Sequence, residues 1–362
     1  MPHHTRRWLL SALAACLLLM PLSHAAAQND SGGAQPAVTN AGSVIPFLEG
    51  TDVFFAAHED TVFEADILPH LVVFQDFSDV LDLREQMDRV GGPKTFGVSV
   101  SGTPAVRIRM FDQVSRPVRT PSYMPRGNVQ LIWARNVSAV TTAFARSLGG
   151  RLALDAASRQ VSLWEVHAIV GHHSNGQDGC FFEDQARVDG ECVIVAPAPG
   201  ERLVNKQDGS FSTNYVRVGM NYRKNTLDDA LWTRREWGVR VDLEIHPRSW
   251  MDQEMVDLYG RVRTEVAGTF GSRELSWCPR RAEILGAVKA IAGHPESVWP
   301  VAVTAQASCF LTRQGGWGIF VRYYGGQDYY NLGLLENIQR VHVGATFNQS
   351  GFFRFRLAGQ GE

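Results

Sequence analysis

Long apolar runs are missing from the chain after its first 27 residues. Those first residues contain Arg6-Arg7, an apolar run from Trp8 to Met20 and small residues up to Ala27, which is the pattern of a cleaved export signal. The apolar run is too short to cross a membrane as a helix. We therefore expect an exported mature chain without a helical membrane anchor, with residues 1–27 as its signal peptide.

The chain also has little net charge and few cysteines. The formal net charge is −2, which gives no reason to expect nucleic acid as a partner. Four cysteines follow the signal, Cys180, Cys192, Cys278 and Cys309, at spacings that do not suit a zinc site. An even number of cysteines in an exported chain favours two disulfide bonds, but composition alone does not give their pairing.

Alternation of apolar and polar residues is what the chain has in abundance. Between Val239 and His246 every apolar residue is odd-numbered and every charged or titratable residue is even-numbered. The segments 317–324 and 340–347 show a similar alternation. The polar set is rich in Arg, Glu, Asp and His, which suits an internal network, whereas the water-facing side of a β-sandwich would carry Lys, Ser and Thr. The apolar set suits contact with lipid.

We predict an all-β fold, a twelve-stranded antiparallel transmembrane β-barrel with a plugged polar interior. The barrel is expected at residues 69–353, after a partly disordered periplasmic leader at 28–68 and before a C-terminal tail at 354–362. The predicted strands lie at about residues 70–74, 95–100, 105–111, 128–134, 161–174, 211–223, 239–246, 256–266, 284–291, 301–310, 317–324 and 341–347. A turn at Gly102-Thr103-Pro104 is expected to join the second strand to the third. A soluble exported β-sandwich that serves as a binding module is the alternative.

The order of the predicted strands places the cysteines on two sides of the membrane. If the first strand runs outward, the fifth ends outside at Ser174 and the sixth begins outside. Cys278 and Cys309 then fall on the periplasmic side and could pair there. Cys180 and Cys192 fall in one long extracellular loop, residues 177–210, and could close on each other.

Three polar residues lie on the apolar face of the fifth and sixth strands. His172 and Ser174 share this face because they are two residues apart. Asn214 lies on the apolar face of the next strand. A side-chain amide without a hydrogen-bond partner is costly there, because hydrocarbon offers none. A hydrogen bond to His172 removes that cost, and a histidine so held beside a serine is the pairing that acyl transfer needs. The backbone amides of Asn175 and Gly176 could then face a developing oxyanion. The competing interpretation is a polar membrane border and a simple Asn-Gly turn.

These residues resemble the motifs of the outer-membrane phospholipase A family. The family's H-x-S-N-G motif is matched by His172-His173-Ser174-Asn175-Gly176, and its S-x-N stretch by Ser212-Thr213-Asn214. The family's P-x-R-x-x-x-Y-x-P spacing is kept by Pro117, Arg119, Tyr123 and Pro125. The likeness runs from about residue 69 to residue 353.

The resemblance implies a phospholipase of the outer membrane with A1/A2-type carboxylic ester hydrolase activity on phospholipids and lysophospholipids. It implies Ser174 as the nucleophile, His172 as the general base, Asn214 as the residue that orients His172, and the backbone amide of Gly176 as an oxyanion donor. A catalytically silent barrel with a structural or transport role is the alternative function.

The resemblance also implies a cofactor and an assembly. One Ca²⁺ per monomer would be held by the backbone carbonyl of Gln177 and by Ser115, and the active form would be a homodimer. The chain departs from the family here, because Arg116 stands where the family has a calcium-liganding serine.

Overall fold

The computed structural model describes residues 51–56, 61–76, 96–111, 120–136, 160–195, 202–227, 233–251, 255–256, 258–311 and 316–347. The expected signal peptide, most of the expected leader and the expected C-terminal tail lie outside these residues. In the described part of the chain, no helix is long and apolar enough to cross a membrane.

Fifteen strands make up the described structure. They are β1 (Thr51–Ala56), β2 (Thr61–Ile67), β3 (Leu71–Asp76), β4 (Phe96–Phe111), β5 (Ser122–Asn136), β6 (Gln160–Ser174), β7 (Gln185–Val188), β8 (Glu191–Ile194), β9 (Ser212–Leu227), β10 (Thr233–Ile245), β11 (Val262–Ser272), β12 (Arg281–Ala292), β13 (Val301–Phe310), β14 (Trp317–Gln327) and β15 (Asn337–Phe347). One short 3₁₀ turn, Arg248–Trp250, follows β10.

The strands form a closed antiparallel barrel. Each long strand pairs with its neighbour along the chain, β15 pairs with β1, and β2 pairs with β4 to close the ring. β2 and β3 follow each other along the same edge of β4 and together act as one interrupted strand. β7 and β8 form a separate hairpin in the loop between β6 and β9. The predicted twelve-stranded barrel is confirmed, and the β-sandwich alternative is wrong because a single sheet closes on itself.

The predicted turn at Gly102-Thr103-Pro104 is wrong. These residues lie inside β4, a single strand that replaces the two predicted at 95–100 and 105–111. Pro104 stands opposite Pro125 of β5. On its other side, the register places it opposite the interruption between β2 and β3. A proline has no N–H to donate to a neighbouring strand. The interruption leaves no strand residue opposite Pro104 on that side, so no donor is needed there.

Two other boundaries differ from the prediction. The barrel begins at Thr51 rather than at residue 69, because β1 and β2 lie within the expected leader. The strand predicted from residue 256 begins only at Val262, because Met255 and Tyr259 pack into a buried apolar cluster in the preceding loop. One strand is added and one is lost, so β6 and β9 remain the fifth and sixth strands of the barrel.

The two faces of the barrel differ in polarity as predicted. Exposed apolar side chains point outward, among them Val166, Val218, Val241, Val266, Ile284, Val303, Val321 and Val343. Ionised side chains point inward and are buried. Arg109 donates to Glu64 at 2.9 Å and to Asp328 at 2.7 Å, and Arg281 donates to Glu236 at 3.1 Å. Paired charges are therefore a major part of what holds the interior together, beside buried apolar residues such as Phe54 and Phe320.

Both disulfide bonds join the cysteines that the strand order brought together. Cys180 pairs with Cys192 in the loop between β6 and β9, with 5.6 Å between their Cα atoms. Cys278 pairs with Cys309 at the opposite end of the barrel, with a Cα separation of 5.4 Å. We call the end where β6 stops and β9 begins the Ser174 end.

Loss of the Arg109 side chain should destabilise the barrel strongly. Replacement Arg109→Ala leaves the buried carboxylate of Asp328 without its hydrogen-bonded cation and leaves Glu64 only the longer ion pair to Arg340, at 3.8 Å; removing one partner of a buried pair typically costs about 3–5 kcal/mol. Replacement Arg234→Ala is the matched control, because Arg234 pairs with Glu274 at an exposed turn, where such pairs contribute about 0–1 kcal/mol. Urea unfolding in lipid vesicles, followed by tryptophan fluorescence, measures both. Equal losses in the two variants would contradict an interior held by paired charges.

Candidate active site

The site begins with the alternation of β6. Its even-numbered side chains point outward and its odd-numbered side chains are buried inside the barrel up to residue 173. Gly171 allows a close approach on the inner side, since a Cβ atom there would lie 2.2 Å from the ring of Tyr215 on β9. The tight packing of these two strands fixes the backbone directly before His172.

His172 and Asn214 meet on the outer face. They are direct cross-strand partners of β6 and β9, and Nδ1 of His172 lies 2.8 Å from Oδ1 of Asn214. Ser174 lies on the same face two residues further, which is roughly 7 Å along a strand. Tyr123 of β5 and Ser212 of β9 are its cross-strand partners. All three candidate residues are half-buried on the side of the barrel that carries the apolar residues.

The orientation of the Asn214 amide is fixed by a backbone carbonyl. Nδ2 of Asn214 donates to the carbonyl oxygen of Trp250 at 2.9 Å, at the end of the 3₁₀ turn after β10. Oδ1 therefore faces His172 and accepts a hydrogen bond from its Nδ1–H. A neutral imidazole that donates through Nδ1 has its lone pair on Nε2. His172 is thus held in the tautomer that can accept a proton from a serine hydroxyl.

The residues next to this pair are held from inside the barrel. His173 is buried, and its Nδ1 lies 3.0 Å from the hydroxyl of Tyr259, which also accepts a hydrogen bond from Arg263 at 3.0 Å. Oγ1 of Thr213 lies 3.0 Å from Nδ1 of His246. One polar layer inside therefore fixes the backbone on which the outer pair is carried.

Asn175 connects the end of β6 to the segment before β9 and is not a simple turn residue. Its Nδ2 donates to the carbonyl of Gly209 at 2.7 Å, and its Oδ1 accepts from the amide of Phe211 at 3.0 Å. Its own amide donates to the carbonyl of Phe211 at 3.1 Å. This amide is occupied, so the suggestion that Asn175 contributes an oxyanion donor is wrong.

Gly176 remains available for that role. Its φ angle of +70° lies in the left-handed region that favours glycine. Within the described part of the chain, no acceptor takes a hydrogen bond from its amide, and the residue is exposed. The ring of Tyr123 lies 3.5 Å from where a Cβ atom would stand. An open backbone amide therefore lies just past Ser174.

The long loop that follows the site is a folded element. An apolar cluster joins it to the loops after β10 and β14, and consists of Phe181, Phe182, Phe211, Met255, Tyr259, Leu332 and Leu334. The Cys180–Cys192 bond and an ion pair between Asp184 and Arg202 stabilise it further. The loop thus holds the segment around Gly176 against the rest of the barrel mouth.

The expected calcium ligands are only partly within the described residues. Gln177 is described, and its side chain donates to Oγ1 of Thr120 at 3.0 Å. Ser115 and Arg116 lie outside the described residues. In the described part of the chain, no group of three or more His, Cys, Asp or Glu side chains is arranged to hold a metal. Calcium takes six to eight oxygen ligands.

Sequence reasoning found the outer pair but missed its supports. Alternation places His173 inside the barrel as part of an inner network, but the Trp250 carbonyl and the identity of the inner partners of His173 and Thr213 carry no signal in the sequence. A backbone carbonyl has no residue identity, and these contacts depend on the loop after β10. The regular alternation of β10, which places His246 on the inner side at its end, was the one available hint.

No family model matches the chain, and no curated protein matches it. Among solved structures, the chain is similar to the calcium-bound dimer of the outer membrane phospholipase of Salmonella typhi, at 13% identity and a TM-score of 0.44, covering 85% of this chain and 93% of that one. It is similar to outer membrane phospholipase A from Escherichia coli at 11% identity and a TM-score of 0.41, covering 83% and 92%. OmpT, an outer membrane protein of Vibrio cholerae, shows 10% identity and a TM-score of 0.23, covering 84% and 95%. The family that the sequence resembles is thus among the structural neighbours.

Acidification should loosen the loop between β6 and β9. Two hydrogen bonds from Arg202, both 2.8 Å, hold the pKa of Asp184 below its usual value of 3.8. Because the pKa is lowered in the folded loop, the stabilisation is complete above about 3.8 and is lost as the pH falls through the lowered pKa. The rate of amide hydrogen exchange in the loop, corrected for the intrinsic rates, should therefore rise as the pH falls from about 3.8 through the lowered pKa of Asp184. Asp184→Asn should abolish the pH dependence and Asp189→Asn, at the hairpin tip, should keep it. The same dependence in both variants would refute the assignment.

Proposed function

We propose that this protein is an outer-membrane phospholipase that hydrolyses acyl esters of phospholipids and lysophospholipids. The observation that carries the proposal is the hydrogen bond between His172 and Asn214 on the apolar outer face, beside Ser174. A polar triad on that face would meet membrane lipid and not a water-soluble substrate. It suits an ester that lies in the membrane next to the barrel wall.

The proposed reaction is acyl transfer through Ser174. The serine Oγ attacks the ester carbonyl while Nε2 of His172 takes its proton. The tetrahedral oxyanion accepts a hydrogen bond from the amide of Gly176. The carbon–oxygen bond to the leaving alcohol then breaks, and His172 gives its proton to that alcohol. A water molecule, deprotonated by His172, releases the fatty acid and restores the serine hydroxyl.

Asn214 contributes orientation and not charge. A neutral amide cannot compensate the imidazolium that forms when His172 takes a proton, as a carboxylate would. It can hold the ring angle and the Nδ1–H tautomer, because its own amide is anchored on the carbonyl of Trp250. The hydrogen bond to the Trp250 carbonyl therefore replaces part of what an ionised partner supplies elsewhere.

Calcium and a second copy complete the proposal. We propose that calcium assists at the oxyanion and that the active form is a homodimer, as the resemblance implies. Gln177, which directly follows Gly176, would contribute its backbone carbonyl and Ser115 its hydroxyl. No step above depends on the ion, so its contribution is a separate measurement.

Replacement Ser174→Ala should abolish hydrolysis. The substitution removes the only atom that forms the acyl–enzyme bond, so activity on phospholipid vesicles should fall by at least about 10³-fold. Ser212→Ala is the matched control, since Ser212 is the cross-strand partner of Ser174 and should keep most of the activity. A fluorophosphonate probe should label the parent and Ser212→Ala proteins but not Ser174→Ala. Each assay is run with calcium and with a chelator, and cross-linking reports the dimer. A folded parent that neither labels nor hydrolyses would favour the catalytically silent barrel.

Replacement Asn214→Ala should lower kcat by about 10- to 100-fold and leave KM nearly unchanged. The loss corresponds to one half-buried hydrogen bond to a group that becomes charged in the transition state, about 1.5–3 kcal/mol. Val218→Ala, on the same outer face of β9, serves as the control for a disturbed strand. A loss of kcat that is the same in both variants would show that Asn214 acts only through strand packing.

A further inference from the structure

The segment 328–336 joins β14 to β15 at the Ser174 end and is anchored inside the barrel mouth. Both carboxylate oxygens of Asp328 accept from Arg109, at 2.7 and 2.9 Å, and one of them also accepts from the amide of Tyr330 at 3.0 Å. The amide of Asp328 donates to the carbonyl of Glu336 at 2.8 Å. The ends of the segment are thus tied to each other and to β4.

The same segment reaches across the mouth to the start of β5. The hydroxyl of Tyr330 donates to the carbonyl of Thr120 at 2.6 Å. Nδ2 of Asn331 donates to the carbonyls of Thr120 and Pro121, at 3.1 and 3.2 Å. Both donor residues are buried. Since β1, β2 and β4 separate β15 from β5 in the ring, these contacts connect strands that do not pair with each other.

Thr120 also contacts Gln177, the residue after Gly176. Its Oγ1 accepts from Nε2 of Gln177 at 3.0 Å, and the amide of Gln177 donates to Oδ1 of Asn175 at 3.2 Å. Asn175 is itself held by Gly209 and Phe211. Gly176 therefore lies between two residues that are each held at both backbone and side chain. Its amide direction depends on both.

We propose that Thr120 and Asn331 are positioning residues for the backbone amide of Gly176. This inference rests on the proposed function, in which that amide donates to the oxyanion. Neither residue touches the substrate. Thr120 acts through Gln177, and Asn331 acts through Thr120. Together they make the rate of acyl transfer depend on the segment 328–336 across the barrel mouth. An oxyanion donor that is removed outright costs about 10²–10³ in kcat, so a misdirected donor should cost less, about tenfold.

The test compares three variants with the parent. Thr120→Val has nearly the same shape as the parent but no hydroxyl to accept from Gln177, and Thr120→Ser keeps the hydroxyl. We expect Thr120→Val to lose about tenfold in kcat, and in the rate of Ser174 labelling by a fluorophosphonate, with KM within about twofold of the parent. Thr120→Ser should restore most of both rates. Asn331→Leu should behave like Thr120→Val. The faster migration of unboiled samples on SDS gels shows that each barrel is folded.

A readout that needs no turnover accompanies the kinetics. Amide hydrogen exchange of the peptide that covers residues 175–179 should rise about tenfold in Thr120→Val and stay at the parent rate in Thr120→Ser. Unchanged exchange in Thr120→Val overturns the inference, whatever the activity. Raised exchange with unchanged kcat in an active protein also overturns it, because the amide would then move without consequence. Raised exchange in a barrel whose parent is inactive retains the link to Gly176, while the proposed function fails separately.

Discussion

A backbone amide that faces hydrocarbon must find its partner on a neighbouring strand, because the membrane interior offers no water in its place. The pairing of β15 with β1 and of β2 with β4 meets this requirement by closing the ring. Closure then fixes which side each residue faces, since one face of every strand must meet lipid and the other must fill the interior. The buried pairs around Arg109 and Arg281 are the consequence on the inner side.

The same constraint shapes the candidate site on the outer side. A polar side chain there must also be satisfied locally, and Asn214 is satisfied by His172 and by the Trp250 carbonyl. Its two hydrogen bonds leave it one orientation. The outer face is thus preorganised by a need for satisfied polar groups, and the inner network under His173 and Thr213 holds the backbone in place. Chemistry and support lie on opposite sides of the same two strands.

Much of this arrangement could be predicted because it depends on alternation. The alternating residues of β6 and β10 indicated the barrel, its two faces and the encounter of His172 with Asn214. The turn predicted at Gly102-Thr103-Pro104 was wrong because a turn signal is local, whereas the pairing of β4 with β5 from Phe96 to Arg107 is not. β1 and β2 were missed because each is short and lies next to a segment of loop-like composition. The roles of Trp250, Thr120 and Asn331 rest on backbone carbonyls and on contacts across the mouth, which no local pattern encodes.

The division of β6 into two faces has a consequence for how such a protein can change over generations. Odd-numbered positions are locked into the interior, as Gly171 shows with no room for even a methyl group beside Tyr215. Among the even-numbered positions before His172, Val166 and Ala168 are exposed on the outer face and are free to drift, whereas Trp164 packs against Trp133 and Tyr222. Under the proposed function, selection for a new acyl chain or head group would find its variation on this exposed outer surface, next to Ser174, without disturbing the scaffold. A lipid-facing site is in this sense more evolvable than a cleft, whose lining is also its core.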